Sequence, residues 1–207
     1  TDKIVNKKIP FFFKVFRNLS NMKIIKVILP PGEKTKNFAN LQNLCEKILK
    51  AKIDRNAIII CFGGGVIGDI VGLTANLLLR GIDFIQVPTT LLAQVDSSVG
   101  GKTAINSKYG KNLIGTFNQP KAVLISTDTL KTLDKRQVIA GYAEILKYAF
   151  IYDKSFFNFL KKNGKRIISL KPKETIKSIE KSCKIKARIV SKDEYEKGIR
   201  EILNFGH

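Results

Sequence analysis

The amino-acid sequence predicts an α/β domain followed by an all-helical one, on three observations. β-branched runs of strand length alternate with helical periodicity up to residue 128, strand signals then stop, and Gly or Pro turns separate the runs. Residues 23–29 (KIIKVIL) read as a strand, with the only methionine, Met22, in the same region, and Pro30-Pro31-Gly32 breaks it. Phe38, Leu41, Leu44, Cys45, Ile48 and Leu49 recur at helical spacing and predict a helix. AIIICF, from Ala57 to Phe62, is short and β-branched as a buried parallel strand should be, and Gly63 to Gly65 end it. A second helix is expected from about Val66 to Leu79, a strand over 83–87 (DFIQV) closed by Pro88, and a later strand over 122–125 (AVLI). Beyond Thr129 three helical segments are predicted, at about 135–151, 173–192 and 198–207. The domain boundary is set near residue 128, giving an N-terminal domain over 1–128 and a helical domain over 129–207.

Composition narrows the function classes. With 207 residues, 44% hydrophobic and 26% charged, the chain is long and apolar enough to bury a core. No apolar run approaches the roughly 18 residues of a membrane span. Cys45, Cys61 and Cys183 are odd in number and far apart, which argues against disulfides and for a reducing cytoplasm. The net charge of +20 invites a nucleic-acid reading, but between Lys161 and Lys192 twelve Lys or Arg face only Glu174 and Glu180, so much of the excess is local. Only seven of the 37 bases are Arg, the residue that bidentate recognition favours, so a lysine-rich solvated face is expected instead. Residue 1 is Thr, and the closing GIREILNFGH runs as an amphipathic helix without a cap, so the chain is expected to be cut at both ends.

Several motifs carry chemistry. Gly63-Gly64-Gly65-Val66-Ile67-Gly68-Asp69 follows a strand and opens a helix, so its backbone can approach a pyrophosphate at the helix N-terminus. The acidic residue about 20 positions on is Asp83, which opens a strand instead of ending one, so the ordinary dinucleotide-fold register fails. Pro88-Thr89-Thr90 lies at the carboxyl end of a strand, where its hydroxyls serve either a phosphate or ribose, or a helix N-cap. Gly100-Gly101-Lys102-Thr103 lacks the first glycine of a P-loop, since position 96 is Asp; with Gly110-Lys111-Asn112 it delivers two lysines on glycine-rich turns, which suits an anionic ligand.

The helical half holds further candidates. In VIAGYAEILKYAFI (138–151) the only charges are Glu144 and Lys147, three residues apart on one face, which fits a buried ion pair or a carboxylate metal ligand beside an ammonium. Arg200, Asn204 and His207, spaced four and three apart, are expected on one face of the last helix, with His207 a candidate zinc ligand. The helix over 174–192 is expected to bury Ile176, Ile179, Cys183, Ala187 and Val190, with Lys186 flanking that stripe and aimed inward.

These motifs in order, Pro31-Gly32-Glu33 with Lys36, GGGVIGD, Arg80-Gly81, FIQVPTTLLAQVDSSVGGKTAIN, GKNLIG, AGYAEILKY and LNFGH, closely resemble the 3-dehydroquinate synthase family over almost the whole chain. The resemblance implies a Rossmann-like N-terminal domain, an all-α metal-binding domain that is incomplete here, and conversion of a seven-carbon sugar acid phosphate to 3-dehydroquinate with NAD and a divalent metal, zinc or cobalt. It implies NAD contacts from Glu33, Lys36, Gly65, Val66, Ile67, Gly68, Asp69, Thr89, Thr90, Lys102, Lys111, Thr129, Leu130, Lys131 and Thr132, with Asp2 a weaker ribose candidate. Asp96, Lys102, Asn112, Lys147, Lys186, Arg200 and Asn204 are implied for substrate, Glu144 and His207 for the metal. Arg80 is implied to reach the substrate phosphate of a neighbouring subunit, hence a homodimer.

The family's third metal ligand is expected beyond His207, so the segment alone is expected to lack synthase activity. Pro31 stands where the family usually has Asp. Two alternatives share parts of the pattern. A sister sugar phosphate cyclase, such as a 2-deoxy-scyllo-inosose synthase-like enzyme, shares the NAD and metal motifs. A basic non-catalytic module would need exposed Arg or aromatics on its basic segment, whereas Phe156, Phe157 and Phe159 precede that segment at core-like spacing.

Overall fold

The computed structural model describes residues 1–10, 12 and 23–206. They divide into two compact units, Thr1–Val87 with Lys102–Leu124, and Pro88–Gly101 with Ile125–His207. Against a single expected boundary near residue 128, the backbone passes between the units three times. The physical reason is the segment 88–101, which packs on helices of the second unit.

The first unit is built on a small sheet. Helix α1 (Lys3–Lys8) is followed by α2 (Phe38–Lys50), strand β1 (Ile58–Gly63), α3 (Gly65–Leu77) and β2 (Asp83–Pro88). A hairpin of β3 (Lys102–Ser107) and β4 (Gly110–Phe117) precedes the short β5 (Ala122–Val123). The sheet order is β1-β2-β5, with Ile85 and Gln86 of β2 paired in parallel to Ala122 and Val123. Leu41 and Leu44 of α2, Ile67, Ile70 and Val71 of α3, Phe84 of β2 and Ile105 of β3 form its core. Asn37 caps α2 by accepting from the Asn40 N–H at 2.8 Å, the sequence signal that starts that helix.

Two expectations in this unit are corrected. Among the described residues of 23–29, only Leu29 forms a bridge, to Asp2, with its N–H donating to the Thr1 carbonyl and its carbonyl accepting from the Lys3 N–H; Met22 lies outside the described residues. The glycine-rich turns expected around Lys102 and Lys111 are instead the two strands of an antiparallel hairpin, paired from Lys102 with Phe117 to Ser107 with Gly110. Gly115 is what lets them close. A Cβ there would stand 2.8 Å from the Ala104 Cβ across the ladder.

The second unit is helical. A π-helical turn, Ala93–Ser97, is followed by α4 (Lys135–Tyr152), α5 (Lys154–Ile168) and α6 (Pro172–Val190). Asp134 and Asp153 cap α4 and α5 through the N–H groups of Gln137 and Phe156. The core joins Leu91, Val95 and Leu130 to Ile145, Tyr148, Phe156, Leu160, Ile167, Ile179 and Ile189. Helix α5 was not among the expected segments: its interior Gly164 and many lysines mask a buried stripe of Phe156, Leu160 and Ile167.

The buried face of α6 is also corrected. Ile176 is 51% exposed, and the buried positions are Glu174, Thr175, Ser178, Ile179, Ser182, Ile185, Lys186, Ile189 and Val190. Ser178 and Ser182 bury at no polar cost because their hydroxyls donate back to the carbonyls of Glu174 and Ser178, each at 2.8 Å. Lys186 therefore sits inside the buried face instead of flanking it. The expected final helix is a 3₁₀ turn, Ile199–Asn204, in which residues three apart share a side, so Arg200 and Leu203 are buried and Asn204 is exposed.

Gly141 marks the closest approach between α4 and the 88–101 segment. A Cβ on it would lie 2.6 Å from the Leu91 Cβ and 2.7 Å from the Leu92 nitrogen, and that backbone cannot step aside. We expect Gly141→Val to destabilise the protein by about 2 to 3 kcal/mol, the scale of overpacking, in urea unfolding followed by circular dichroism. Gly164→Ala, whose Cβ meets only the Tyr142 side chain, is expected to cost less than 1 kcal/mol.

Candidate active site

In the first unit the polar cluster centres on Lys36, which is 3% exposed. Its Nζ meets Asp69 Oδ2 at 2.6 Å, Asn112 Oδ1, and Glu33 Oε1 at 3.7 Å. Asn106 closes the set: its Nδ2 donates to Glu33 Oε1 at 2.7 Å, and its Oδ1 accepts from the Asn112 N–H at 2.9 Å. Asn112 adopts φ +58, a left-handed conformation that Asn tolerates better than most residues. Four sequence candidates thus meet through one ammonium, and Asn106 is the member that sequence reasoning missed. Its signal was its place at the end of a strand beside a lysine-bearing hairpin.

Asp69 rises from the first turns of α3, behind Gly65, Val66, Ile67 and Gly68. This helix has Gly64 as its N-cap and no side-chain capping bond, so the N–H groups of its first turn are left to an outside acceptor. Ile67 is 1% exposed and packs under Gly63, so what it offers a ligand is backbone. Lys102 opens β3 and Lys111 lies on β4, both exposed. Leu79, Arg80 and Gly81 take φ values of 51, 68 and 115 in succession, a left-handed hook that carries Arg80 exposed. Asp2 is spent on structure, since its Oδ1 caps α1 by accepting from the N–H groups of Ile4 and Val5.

In the second unit the cluster centres on Asp96. The π-turn delivers its carboxylate to Lys186 Nζ at 2.7 Å, to the Tyr148 hydroxyl at 2.7 Å and to Lys147 Nζ at 4.0 Å. Lys186 also donates to the Asp96 carbonyl at 2.6 Å, so both faces of one residue hold one ammonium. Lys147 in turn pairs with Glu144 one turn back on α4. Arg200, 2% exposed, has its guanidinium against the carbonyls of Gly100, at 2.8 Å, and Glu194. Asn204 is not brought to this cluster: its amide reaches toward Glu196 Oε1 at 3.4 Å. Tyr148 was missed by sequence reasoning, although a tyrosine in an apolar helix must find a partner for its hydroxyl.

Burial pushes the Asp96 carboxyl up, but the Lys186 and Lys147 ammoniums and the hydrogen bonds from Lys186 and Tyr148 outweigh it and hold the group at about 2. Burial lowers Lys186, opposed by Asp96. Burial, reinforced by Asp96, raises Tyr148, which therefore stays a hydrogen-bond donor. Asp96 is thus a fixed anion at neutral pH, aimed by two hydrogen-bond donors with a second ammonium at 4.0 Å, and not a proton store.

Thr90 and Thr89 divide their roles. The Thr90 Oγ1 accepts from the Ala93 N–H at 3.1 Å and so serves as an N-cap. The Thr89 Oγ1, on a residue 2% exposed, is buried with no hydrogen-bond partner among the described residues, as a group reserved for a ligand would be. Thr129 to Thr132 lie in the 3₁₀ turn Thr127–Thr132. There Thr129 donates to the Ser126 carbonyl, Thr132 donates to the Thr129 carbonyl, Leu130 is core, and Lys131 pairs with Asp128 at 2.6 Å. In the first unit the open helix start fits the phosphates of a dinucleotide, and in the second the unpaired Thr89 hydroxyl fits a ligand oxygen. For a metal the described residues supply the Glu144 carboxylate; His207 lies outside them, and no group of three His, Cys, Asp or Glu side chains gathers among them.

The depressed Asp96 carboxyl makes stability depend on pH. Its ordinary value of 3.8 holds in the unfolded chain and about 2 in the folded one, so its contribution is present above pH 4 and is lost as pH falls toward 2. Urea titrations from pH 5 to pH 2 should show about 2 kcal/mol of loss from this group. Asp96→Asn should lack that part of the pH dependence, and an unchanged profile would overturn the assignment.

A family model described as 3-dehydroquinate synthase N-terminal matches residues 26–140, and one described as 3-dehydroquinate synthase C-terminal matches residues 141–207. The 3-dehydroquinate synthase of Alkaliphilus metalliredigens (strain QYMF) is 56% identical over 182 residues, 88% of this chain and 51% of that protein. The chain spans about half the length of the curated relatives it matches. Among solved structures, 2-epi-5-epi-valiolone synthase from Streptomyces hygroscopicus subsp. jinggangensis 5008, with NAD⁺ and Zn²⁺ bound, superposes with a TM-score of 0.93 at 26% identity over all of this chain and 58% of that one. A 2-deoxy-scyllo-inosose synthase complexed with carbaglucose-6-phosphate, NAD⁺ and Co²⁺ superposes with a TM-score of 0.87 at 32% identity over all of this chain and 57% of that one. The chain belongs to the 3-dehydroquinate synthase family.

Proposed function

We propose that this chain serves a 3-dehydroquinate synthase, a lyase that converts 3-deoxy-D-arabino-heptulosonate 7-phosphate to 3-dehydroquinate and phosphate in the shikimate pathway of aromatic amino acid biosynthesis. The observation that carries the reading is the set of buried cations around Asp96, in which Lys147 and Lys186 face the carboxylates of Asp96 and Glu144 and Arg200 lies against the carbonyls of Gly100 and Glu194. Three buried cations held in place by their neighbours suit recognition of an anionic sugar acid.

A bound nicotinamide dinucleotide supplies the hydride chemistry. In the first unit Glu33, Lys36, Asp69, Lys111 and the N–H groups of Gly65 to Gly68 would bind it; in the second, Thr89 and the turn from Thr129 to Thr132 would. Lys102 would serve cofactor and substrate alike. Asp96 holds the ammonium of Lys186 in place, and Lys147 is braced between Asp96 and Glu144, so neither lysine must reorganise when an anion arrives. Glu144 and His207 would ligate a divalent metal, zinc or cobalt. Arg80, on its left-handed hook, would serve a neighbouring copy in a homodimer.

A cytoplasmic setting is supported by three free thiols, with burial pushing Cys61 up to about 12 and Cys183 to about 11. No helix among the described residues is long and apolar enough to cross a membrane. A sister sugar phosphate cyclase is the second reading, favoured by the 2-deoxy-scyllo-inosose synthase likeness. Phosphate release by the full-length enzyme from the heptulosonate phosphate but not from a hexose 6-phosphate would separate the two.

Calorimetric titration of NAD⁺ should show binding to the purified protein and at least tenfold weaker binding to Gly65→Val, whose side chain blocks close approach to the helix start. Equal binding by both would remove the helix start from the cofactor site. In the full-length enzyme, Glu144→Gln should lower zinc content per folded molecule, measured by plasma emission spectroscopy. Lys147→Met in that enzyme should keep the metal while losing turnover. If Glu144 were only the partner of Lys147, Glu144→Gln would instead cost about 3 kcal/mol of stability at unchanged metal content.

A further inference from the structure

Gln94 has no exposed surface, yet it lies one turn from Leu91 and beside Val95 in a core where an aliphatic residue would pack without polar cost. Its side-chain amide explains why it is not one. Nε2 lies 3.1 Å from the Pro88 carbonyl, 3.0 Å from the Ser126 carbonyl and 3.1 Å from Thr129 Oγ1. Two of these partners are carbonyls, so the nitrogen end of the amide must face them. Thr129 passes its own hydroxyl proton to the Ser126 carbonyl at 2.8 Å, which leaves its oxygen free to accept from Gln94. One amide therefore joins Pro88 to a turn that lies 32 to 35 residues after Gln94 in sequence.

We propose that Gln94 is a positioning residue for the dinucleotide, tying the Pro88–Thr90 segment to the Ser126–Thr132 turn so that both backbones are preset before the ligand arrives. The inference rests on the reading that these two segments contact the dinucleotide. Three observations carry it. The clamped segment holds the buried Thr89 hydroxyl that has no partner among the described residues. The Gln94 Oε1 is likewise buried and unpaired among them, a cost that an apolar residue would avoid and that packing alone does not repay. The clamp also sits on the π-turn that carries Asp96 two residues later, where the Ala93 carbonyl accepts from the Ser98 N–H at 3.1 Å. Gln94 and Asp96 thus leave one rigid turn toward two different clusters, the loops on one side and the lysines on the other.

The test is NAD⁺ affinity of the purified protein and of Gln94→Met, which keeps the volume and removes every amide contact. Melting temperature and amide hydrogen exchange are read in parallel. Gln94→Met is expected to bind NAD⁺ at least tenfold more weakly with its melting temperature within a few degrees of the parent. Exchange should rise at residues 89–93 and 126–132 and fall back at saturating NAD⁺. Faster exchange throughout α4 to α6 with unchanged affinity would show a structural role only and overturn the proposal while leaving the cofactor reading intact. Absence of NAD⁺ binding by the parent protein would overturn the cofactor reading, and the proposal with it. Should Gln94→Met fail to fold, Gln94→Asn, one methylene too short to span the three acceptors, takes its place with the same expected and contrary outcomes.

Discussion

Asp96 is the constraint around which the second unit is organised. Its carboxylate and its carbonyl both accept from Lys186, its carboxylate also from Tyr148, and Lys147 stands 4.0 Å away. Two buried ammoniums on separate helices would each be expensive without it. One residue on the 88–101 segment therefore licenses a lysine in the buried face of α6 and another in α4. The π-turn is what lets a carboxylate enter there, because the widened turn advances Asp96 while the preceding residues keep their apolar contacts.

The packing around that cluster explains why the segment 88–101 belongs with the helices. Leu91 and Val95 are fully buried against them, and Gly141 removes the side chain that would hold the segment off α4. Cys183 of α6 adds a contact from its thiol to the Gln94 carbonyl at 3.2 Å. Apolar burial thus brings the segment in, and the polar residues it carries then meet partners that could not be buried alone.

The first unit solves a similar problem with one lysine. Lys36 is buried by its surroundings yet keeps Asp69, Asn112 and Glu33 within reach, and Asn106 fixes two of those partners in turn. Its members come from a 3₁₀ turn, a helix start and both strands of the hairpin. A charge neutralised this way holds its geometry with little adjustment when an anionic ligand is added.

Much of the fold was legible in the sequence because its strongest signals are local. The β-branched run at 58–62, the Gly-rich turn before Val66 and the periodicity of residues 135–151 each specify an element from within a few residues. The candidate residues Lys36, Asp69, Asp96, Lys147 and Lys186 were legible too, since charged groups beside glycine turns or within apolar helices need a reason to be there. Only tertiary structure decided their partners. Asn112 joins Lys36 and not Asp96, Arg200 parts from Asn204 because a 3₁₀ turn replaces the helix, and serines that bond back to their own helix rotate the buried face of α6 onto Lys186. The partners that set the two clusters lie far apart in sequence, Lys36 and Asn112 by 76 positions, Asp96 and Lys186 by 90 and Gly100 and Arg200 by 100, separations that no local propensity can encode.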